Sequence, residues 1–143
     1  MGARLLLALL WLLHWLPLPL LALLGRSLGR LLHAVAGARR RIALRNLELC
    51  FPEQLKHERQ DLAREHFQWL GRSIVERSLL WYASAQRLKR LIQVEGDVHL
   101  AERSERPVMY LVPHFMALDV AGIAVLLFQR HKVCRSTSNR AMR

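Results

Sequence analysis

The chain has 143 residues, 52% hydrophobic and 23% charged, with 22 Lys and Arg against 11 Asp and Glu for a formal net charge of +11. That length holds one modest domain, and the apolar content is too high for general disorder. Two cysteines, Cys50 and Cys134, make no disulfide scaffold, and 7 Gly with 5 Pro exclude a collagen-like or low-complexity chain.

Residues 5–24 read LLLALLWLLHWLPLPLLALL and carry no formal charge. Twenty helical residues reach roughly 30 Å, the thickness of a bilayer's hydrocarbon core, so this segment is expected to be a retained membrane anchor. Pro17, Pro19 and His14 are its irregular features. A cleaved signal peptide and a buried core helix are the rivals; arginines intrude where a small-residue cleavage site would lie. Arg4 alone precedes the run, whereas Arg26, Arg30, Arg39, Arg40, Arg41 and Arg45 follow it. That asymmetry puts the following side in the cytoplasm, with the arginines near anionic lipid head groups. Nothing in the chain carries a helix-turn-helix, zinc-finger or RNA-binding signature, and no nucleic-acid partner is expected.

Residues 28–49 read as amphipathic helix, with Leu28, Leu31, Leu32 and Val35 as one stripe and Ile42, Leu44, Leu47 and Leu49 continuing it; Gly37 is a candidate break. Pro52 ends the segment, because proline restricts its neighbour and lacks the amide donor. A long helix follows over about residues 56–90, with Gly71 and Ser84 as candidate breaks and an apolar stripe of Leu62, Phe67, Leu70, Ile74, Leu80 and Trp81. The period then changes. Residues 91–94 are a short strand candidate, 98–103 a short helix, 108–112 a buried strand, 118–128 an apolar helix and 132–135 the start of a further strand. Strands alternating with helices give an α/β sheet, here incomplete, as in the front portion of a longer enzyme. The resulting division is a membrane anchor over 1–25, a basic helical region over 26–90 and an α/β domain over 91–143.

The candidate chemistry lies in Val112-Pro113-His114-Phe115-Met116-Ala117-Leu118-Asp119. A histidine at the carboxyl end of a buried strand stands where open α/β sheets place their sites. With His114 in the loop and Asp119 in the first helical turn, the carboxylate can hold one ring nitrogen and fix the tautomer. The other nitrogen can then take a proton from a substrate hydroxyl, the base-and-orienter half of a triad. The bland reading is a buried histidine and a helix-capping aspartate, and from this short spacing alone it is the better one. No cluster of metal ligands and no glycine-rich phosphate loop accompanies the pair, so neither metal nor cofactor is expected. His14 is expected at the membrane interface beside Trp11 and Trp15. His33, His57, His66, His99 and His131 read as surface or packing residues, and Trp69, Trp81 and Tyr82 as core or interface aromatics.

Several segments together resemble the bacterial lipid A biosynthesis acyltransferases, the lauroyl/myristoyl family. The stretch Arg39-Arg40-Arg41-Ile42-Ala43-Leu44-Arg45-Asn46-Leu47-Glu48-Leu49-Cys50-Phe51-Pro52-Glu53 is similar to that family's R-x-x-x-A-x-x-N-L-x-x-C-F-P-E block. Ala63-Arg64-Glu65-His66-Phe67, Val94-Glu95-Gly96, Arg106-Pro107-Val108, His114-Phe115 and Asp119 follow in the family's order. Met116 and Ala117 depart from the Gly and polar residue that many relatives carry after His-Phe. The resemblance implies an enzyme at the bacterial inner membrane, single-pass, with its catalytic part on the cytoplasmic side. It implies transfer of a fatty acyl group from acyl carrier protein to a hydroxyl of a lipid A precursor. His114 is then the general base and Asp119 its orienter, while the arginines suit a phosphorylated, anionic acceptor. The sequence leaves two alternatives open: an inactive, truncated, membrane-anchored remnant, or a lysophospholipid or other glycerolipid acyltransferase sharing the His/Asp pair.

Overall fold

The computed structural model describes residues 2–96, 99–106, 108–109, 111, 116 and 118–128. Every regular element among them is a helix: α1 (Gly2–Leu13), α2 (Leu18–Val35), α3 (Gly37–Cys50), α4 (Lys56–Tyr82), α5 (Ala85–Leu91), α6 (Leu100–Arg103) and α7 (Leu118–Phe128). The chain divides into two compact units, Met1–Ser84 and Ala85–Arg143.

Backbone chemistry sets the breaks in the first unit. Pro17 interrupts the leucine run, so residues 5–24 are not one helix: α1 stops at Leu13 and α2 starts at Leu18, with Pro19 in its first turn. His14 is buried in this corner; its Nδ1 donates to the Trp11 carbonyl, and its ring lies 4.8 Å from Trp15 and 6.0 Å from Tyr82 of α4. Ala36, with φ −86° and ψ 58°, separates α2 from α3 one residue before the candidate break at Gly37. Arg40 reaches back across it, donating from Nη1 to the carbonyl of His33 at 2.7 Å and thereby satisfying an orphan acceptor at the end of α2.

The connection over residues 51–55 is closed by two side chains of the first turn of α4. Leu55 stands at the N-cap and has no side-chain acceptor of its own, but its amide donates to Glu58 Oε2 at 2.7 Å, half of a capping box. Arg59 donates from Nη1 to the Gln54 carbonyl at 2.5 Å and lies 3.4 Å from those of Phe51 and Pro52.

α4 runs unbroken through Gly71 and ends before Ser84. Its buried positions are Ala63, Phe67, Gly71, Val75, Ser78 and Leu79, at helical spacing but only partly the expected stripe. Leu62, Ile74 and Trp81 are exposed instead. The reason is the partner. α2 buries Leu21, Gly25 and Gly29, and the two helices meet backbone to backbone. A Cβ built on Gly25 would stand 2.5 Å from Arg72 Cα; one on Gly29 would overlap the Phe67 carbonyl, and one on Gly71 the Gly25 carbonyl. Such a crossing admits small residues at its centre and turns bulky ones outward.

The second unit holds α5, α6 and α7. Gly96, at φ +97°, takes a left-handed conformation that suits glycine in the turn after α5. Here the expected α/β sheet is overturned: no strand occurs among the described residues. Leu91 closes α5, and the Ile92 amide donates to the Leu88 carbonyl at 2.9 Å, continuing the helix. Val108, Met109 and Leu111 have no regular structure, and Met109 (94%) and Leu111 (96%) are nearly fully exposed. An apolar run becomes a strand only when a neighbouring strand takes its amides and carbonyls, and neither run has such a ladder among the described residues. The strand candidate at 132–135 lies outside them; the short helix expected over 98–103 is present as α6, and α7 has the expected bounds.

Two predictions follow from the packing. Gly29→Val should destabilise the first unit by about 3 kcal/mol, because the added branches meet backbone that cannot move aside. Gly37→Ala, which meets nothing within 4 Å, should stay within about 0.5 kcal/mol. Thermal unfolding followed by circular dichroism checks both. Glu58→Ala should cost about 1 kcal/mol and speed amide exchange at Leu55, measured by hydrogen exchange.

Candidate functional site

Asp119 stands in the first turn of α7 and is exposed. An acid there faces the amides that a helix start leaves without partners, and the positive end of the helix dipole. His114 lies outside the described residues, as do Val112, Pro113 and Phe115. The structure therefore places the aspartate of the pair and not the histidine.

The two upstream blocks fall in the first unit. In Arg39–Glu53, the half-buried Ala43, Leu44 and Leu47 share one side of α3, which packs on α4; Ile42, Asn46 and Leu49 are exposed on the other. Arg45 pairs with Glu48 at 2.7 Å across exposed surface, and this hydrogen bond holds the Glu48 carboxyl below the usual carboxylate range. Cys50, at the end of α3, is an exposed free thiol. In the block at residues 63–67, Ala63 and Phe67 are buried in the α2–α4 contact, whereas Arg64, Glu65 and His66 are exposed. Phe67 also receives the His33 ring edge-on at 5.4 Å.

Beside that contact lies a cleft of about 400 Å³ lined by Arg26 of α2 and by Asp61, Arg64, Glu65, Gln68, Trp69 and Arg72 of α4. Its α4 residues recur every three or four positions, which puts them on one face. Arg64 pairs with Asp61 at 2.5 Å, and Arg72 with Glu76 at 2.7 Å. Trp69 Nε1 donates to Glu65 Oε1 at 3.2 Å while the Arg72 guanidinium lies 4.5 Å above its ring. Arg26 has no carboxylate partner among the described residues. The cleft combines cationic donors, carboxylate acceptors and an aromatic edge, which suits polar, charged ligands. Sequence reading set Arg26 near lipid head groups and took Trp69 for a core or interface residue, and so did not gather the cleft. The missed signal is the spacing 61, 64/65, 68/69, 72 and 76, an unbroken polar row. No group of three or more His, Cys, Asp or Glu side chains able to hold a metal ion occurs among the described residues.

Comparison with known proteins ties these blocks together. The sequence profile described as "Bacterial lipid A biosynthesis acyltransferase" matches residues 1–141. A lipid A biosynthesis palmitoleoyltransferase of Escherichia coli (strain K12) is 36% identical over 125 residues, covering 86% of this chain and 41% of the relative. A lipid A biosynthesis acyltransferase of Haemophilus influenzae is 36% identical over 109 residues, 75% of this chain and 35% of its own length. The lipid A biosynthesis lauroyltransferase of Escherichia coli (strain K12) is 32% identical over 115 residues, 79% and 38%. The chain thus spans about two fifths of the length of the curated relatives it matches. No solved structure matches it. With a match that runs from the first residue to the last helix and beyond, the chain belongs to the bacterial lipid A biosynthesis acyltransferase family.

Proposed function

We propose that this chain contributes part of an acyltransferase that moves a fatty acyl group from acyl carrier protein to a hydroxyl of a lipid A precursor. The observation that carries the reading is the family match over residues 1–141, together with relatives whose names state lipid A acyl transfer. In this reading His114 takes the proton of the acceptor hydroxyl through one ring nitrogen. Asp119, at the start of α7, holds the other nitrogen and offsets the positive charge that the imidazole acquires. The alkoxide-like oxygen attacks the thioester carbonyl. The tetrahedral intermediate collapses with loss of the thiolate, which recovers the proton from the imidazolium. The acceptor supplies the nucleophile, so no protein serine or cysteine is required.

The reaction joins a soluble donor to a lipid acceptor, and the first unit supports a place where both meet. α2 is the described helix long and apolar enough for a membrane, and the first 47 residues hold seven arginines and no acid. That charge distribution favours the cytoplasmic face of the inner membrane, where acyl carrier protein and anionic lipid are both within reach.

The test is turnover of an acyl carrier protein thioester by the purified chain with a lipid A precursor as acceptor. His114→Ala should lower the rate by about 10²–10⁴-fold, the range for loss of a general base. Asp119→Asn should lower it less and leave the acceptor KM nearly unchanged, since it acts through the histidine. Equal turnover in wild type and His114→Ala would remove the base assignment. A folded wild-type chain without turnover would instead favour a membrane-bound piece that does no chemistry alone.

A further inference from the structure

The polar row of α4 explains only part of the cleft beside it. Asp61 with Arg64, and Arg72 with Glu76, are pairs within one helix, as on any solvated face. Arg26 comes from the other helix. The glycine seam brings it there: Gly25 meets the backbone of Arg72 and Gly29 that of Gln68, so the side chain one position past Gly25 stands against the polar row. Arg26 nevertheless has no hydrogen bond or ion pair among the described residues, although Asp61 and Glu65 line the same cleft.

Asp61 offsets Arg64, and Glu76 offsets Arg72. Glu65 accepts from the neutral Trp69 indole at 3.2 Å. Arg26 and Glu65 are therefore the charges of the cleft without an opposite partner, and the space they line, about 400 Å³, falls within the roughly 300–1,000 Å³ of small-molecule sites. Two more groups are uncommitted. Arg72 gives Nε and Nη2 to Glu76 Oε1, at 2.8 and 2.7 Å, which leaves Nη1 as a donor without a protein partner among the described residues. The half-buried Gln68 makes no side-chain hydrogen bond among them either. The complement of this set is an anion that also carries hydroxyl groups. A phosphate suits the guanidinium forks, and hydroxyls suit a carboxylate that accepts beside an amide that does both. Arg26 is also the first charged residue after the uncharged run 5–24, which sets the cleft at the depth of lipid head groups.

We propose that this cleft binds the phosphorylated sugar or polyol head group of a lipid, with Arg26 and Arg72 on the phosphate and Glu65 and Gln68 on the hydroxyls. The lipid source rests on the reading given under Proposed function, in which the acyl acceptor is a lipid at the membrane. In that reaction the four side chains are positioning residues: they hold the head group, not the hydroxyl that is acylated.

The test uses the full chain in detergent micelles with isotopically labelled tryptophan. The chain has four indole N–H resonances, and Trp69→Phe identifies the one at the cleft by its loss. Glucose 1-phosphate should shift the Trp69 resonance saturably and leave the other three in place. Arg26→Gln should weaken this binding by about tenfold or more, and Arg26→Lys should recover part of it. Arg30→Gln, which removes the same charge further along α2, should leave it unchanged; the other three resonances report that each variant is folded. Phosphatidylinositol added to the micelles should displace glucose 1-phosphate, and phosphatidylethanolamine should not. Equal affinity for glucose or for inorganic phosphate would overturn the pairing of phosphate with hydroxyls. Equal losses in Arg26→Gln and Arg30→Gln would reduce the effect to net charge and overturn the site. Failure of phosphatidylinositol to compete would overturn the lipid source. Binding without acyl transfer would count against the transfer reading and leave the cleft standing, whereas transfer with an unmoved Trp69 resonance would remove the cleft and leave the transfer reading.

Discussion

The first unit depends on the approach of α2 to α4 at Gly25, Gly29 and Gly71. At that distance backbone meets backbone, so the contact gains its stability from many close atom pairs and little from large buried side chains. Several other features follow. Ala63 and Ser78 are buried where a leucine would have been expected, and Phe67 is the largest side chain of the α4 seam. His33 can lie edge-on to Phe67 because the helices are close enough for α2 to present it there.

A narrow seam leaves an apolar surplus outside. Leu20, Leu23, Leu24, Leu31 and Val35 of α2, with Trp11 and Trp15 at the corner, are exposed. Contiguous apolar surface on this scale is what a water-facing protein avoids and a membrane-facing one requires. The aromatic corner is consistent with that. Trp11, His14, Trp15 and Tyr82 gather where α1 and α2 join, and rings with a polar edge settle at the boundary between lipid and water. Polar residues cluster separately, in the α4 row along the cleft, so one compact unit presents both a lipid-compatible and a water-compatible surface.

Helix positions were largely legible because they are set by local chemistry. Pro52 ends α3, and the charged run from Lys56 opens α4 with Glu58 as its cap. The stripe on α4 was misread at Leu62, Ile74 and Trp81, since hydrophobicity identifies which residues avoid water but not whether they do so against protein or lipid. Gly25-Arg-Ser-Leu-Gly29 carried the missing information: two glycines four apart on an apolar helix mark a close crossing. The sheet was misread for a different reason. A five-residue apolar run such as 108–112 specifies burial, whereas a strand is a relation between two segments and cannot be read from one of them. Of the pair proposed for catalysis, helix-start preference alone accounts for Asp119 in the first turn of α7; its relation to His114 is not a property of local sequence.

The block that makes the family resemblance specific is not uniform in purpose. Arg40 ends α2 by reaching the His33 carbonyl, and Arg59, just beyond the block, holds the carbonyls of Phe51, Pro52 and Gln54. Both tasks suit arginine, whose fork offers several donors to acceptors of differing direction, and suit lysine poorly. Ala43, Leu44 and Leu47 serve the contact with α4, whereas Arg39, Arg41 and Arg45 stand outward with Ile42 and Leu49. A pattern that holds one face against α4 and keeps arginines on the other constrains nearly every position of α3 without any of them touching a reacting atom. Strong resemblance in this segment is therefore as well explained by the need to pack against α4 and to close the turns on either side as by chemistry, and the chemical assignment has to rest on the residues around α7.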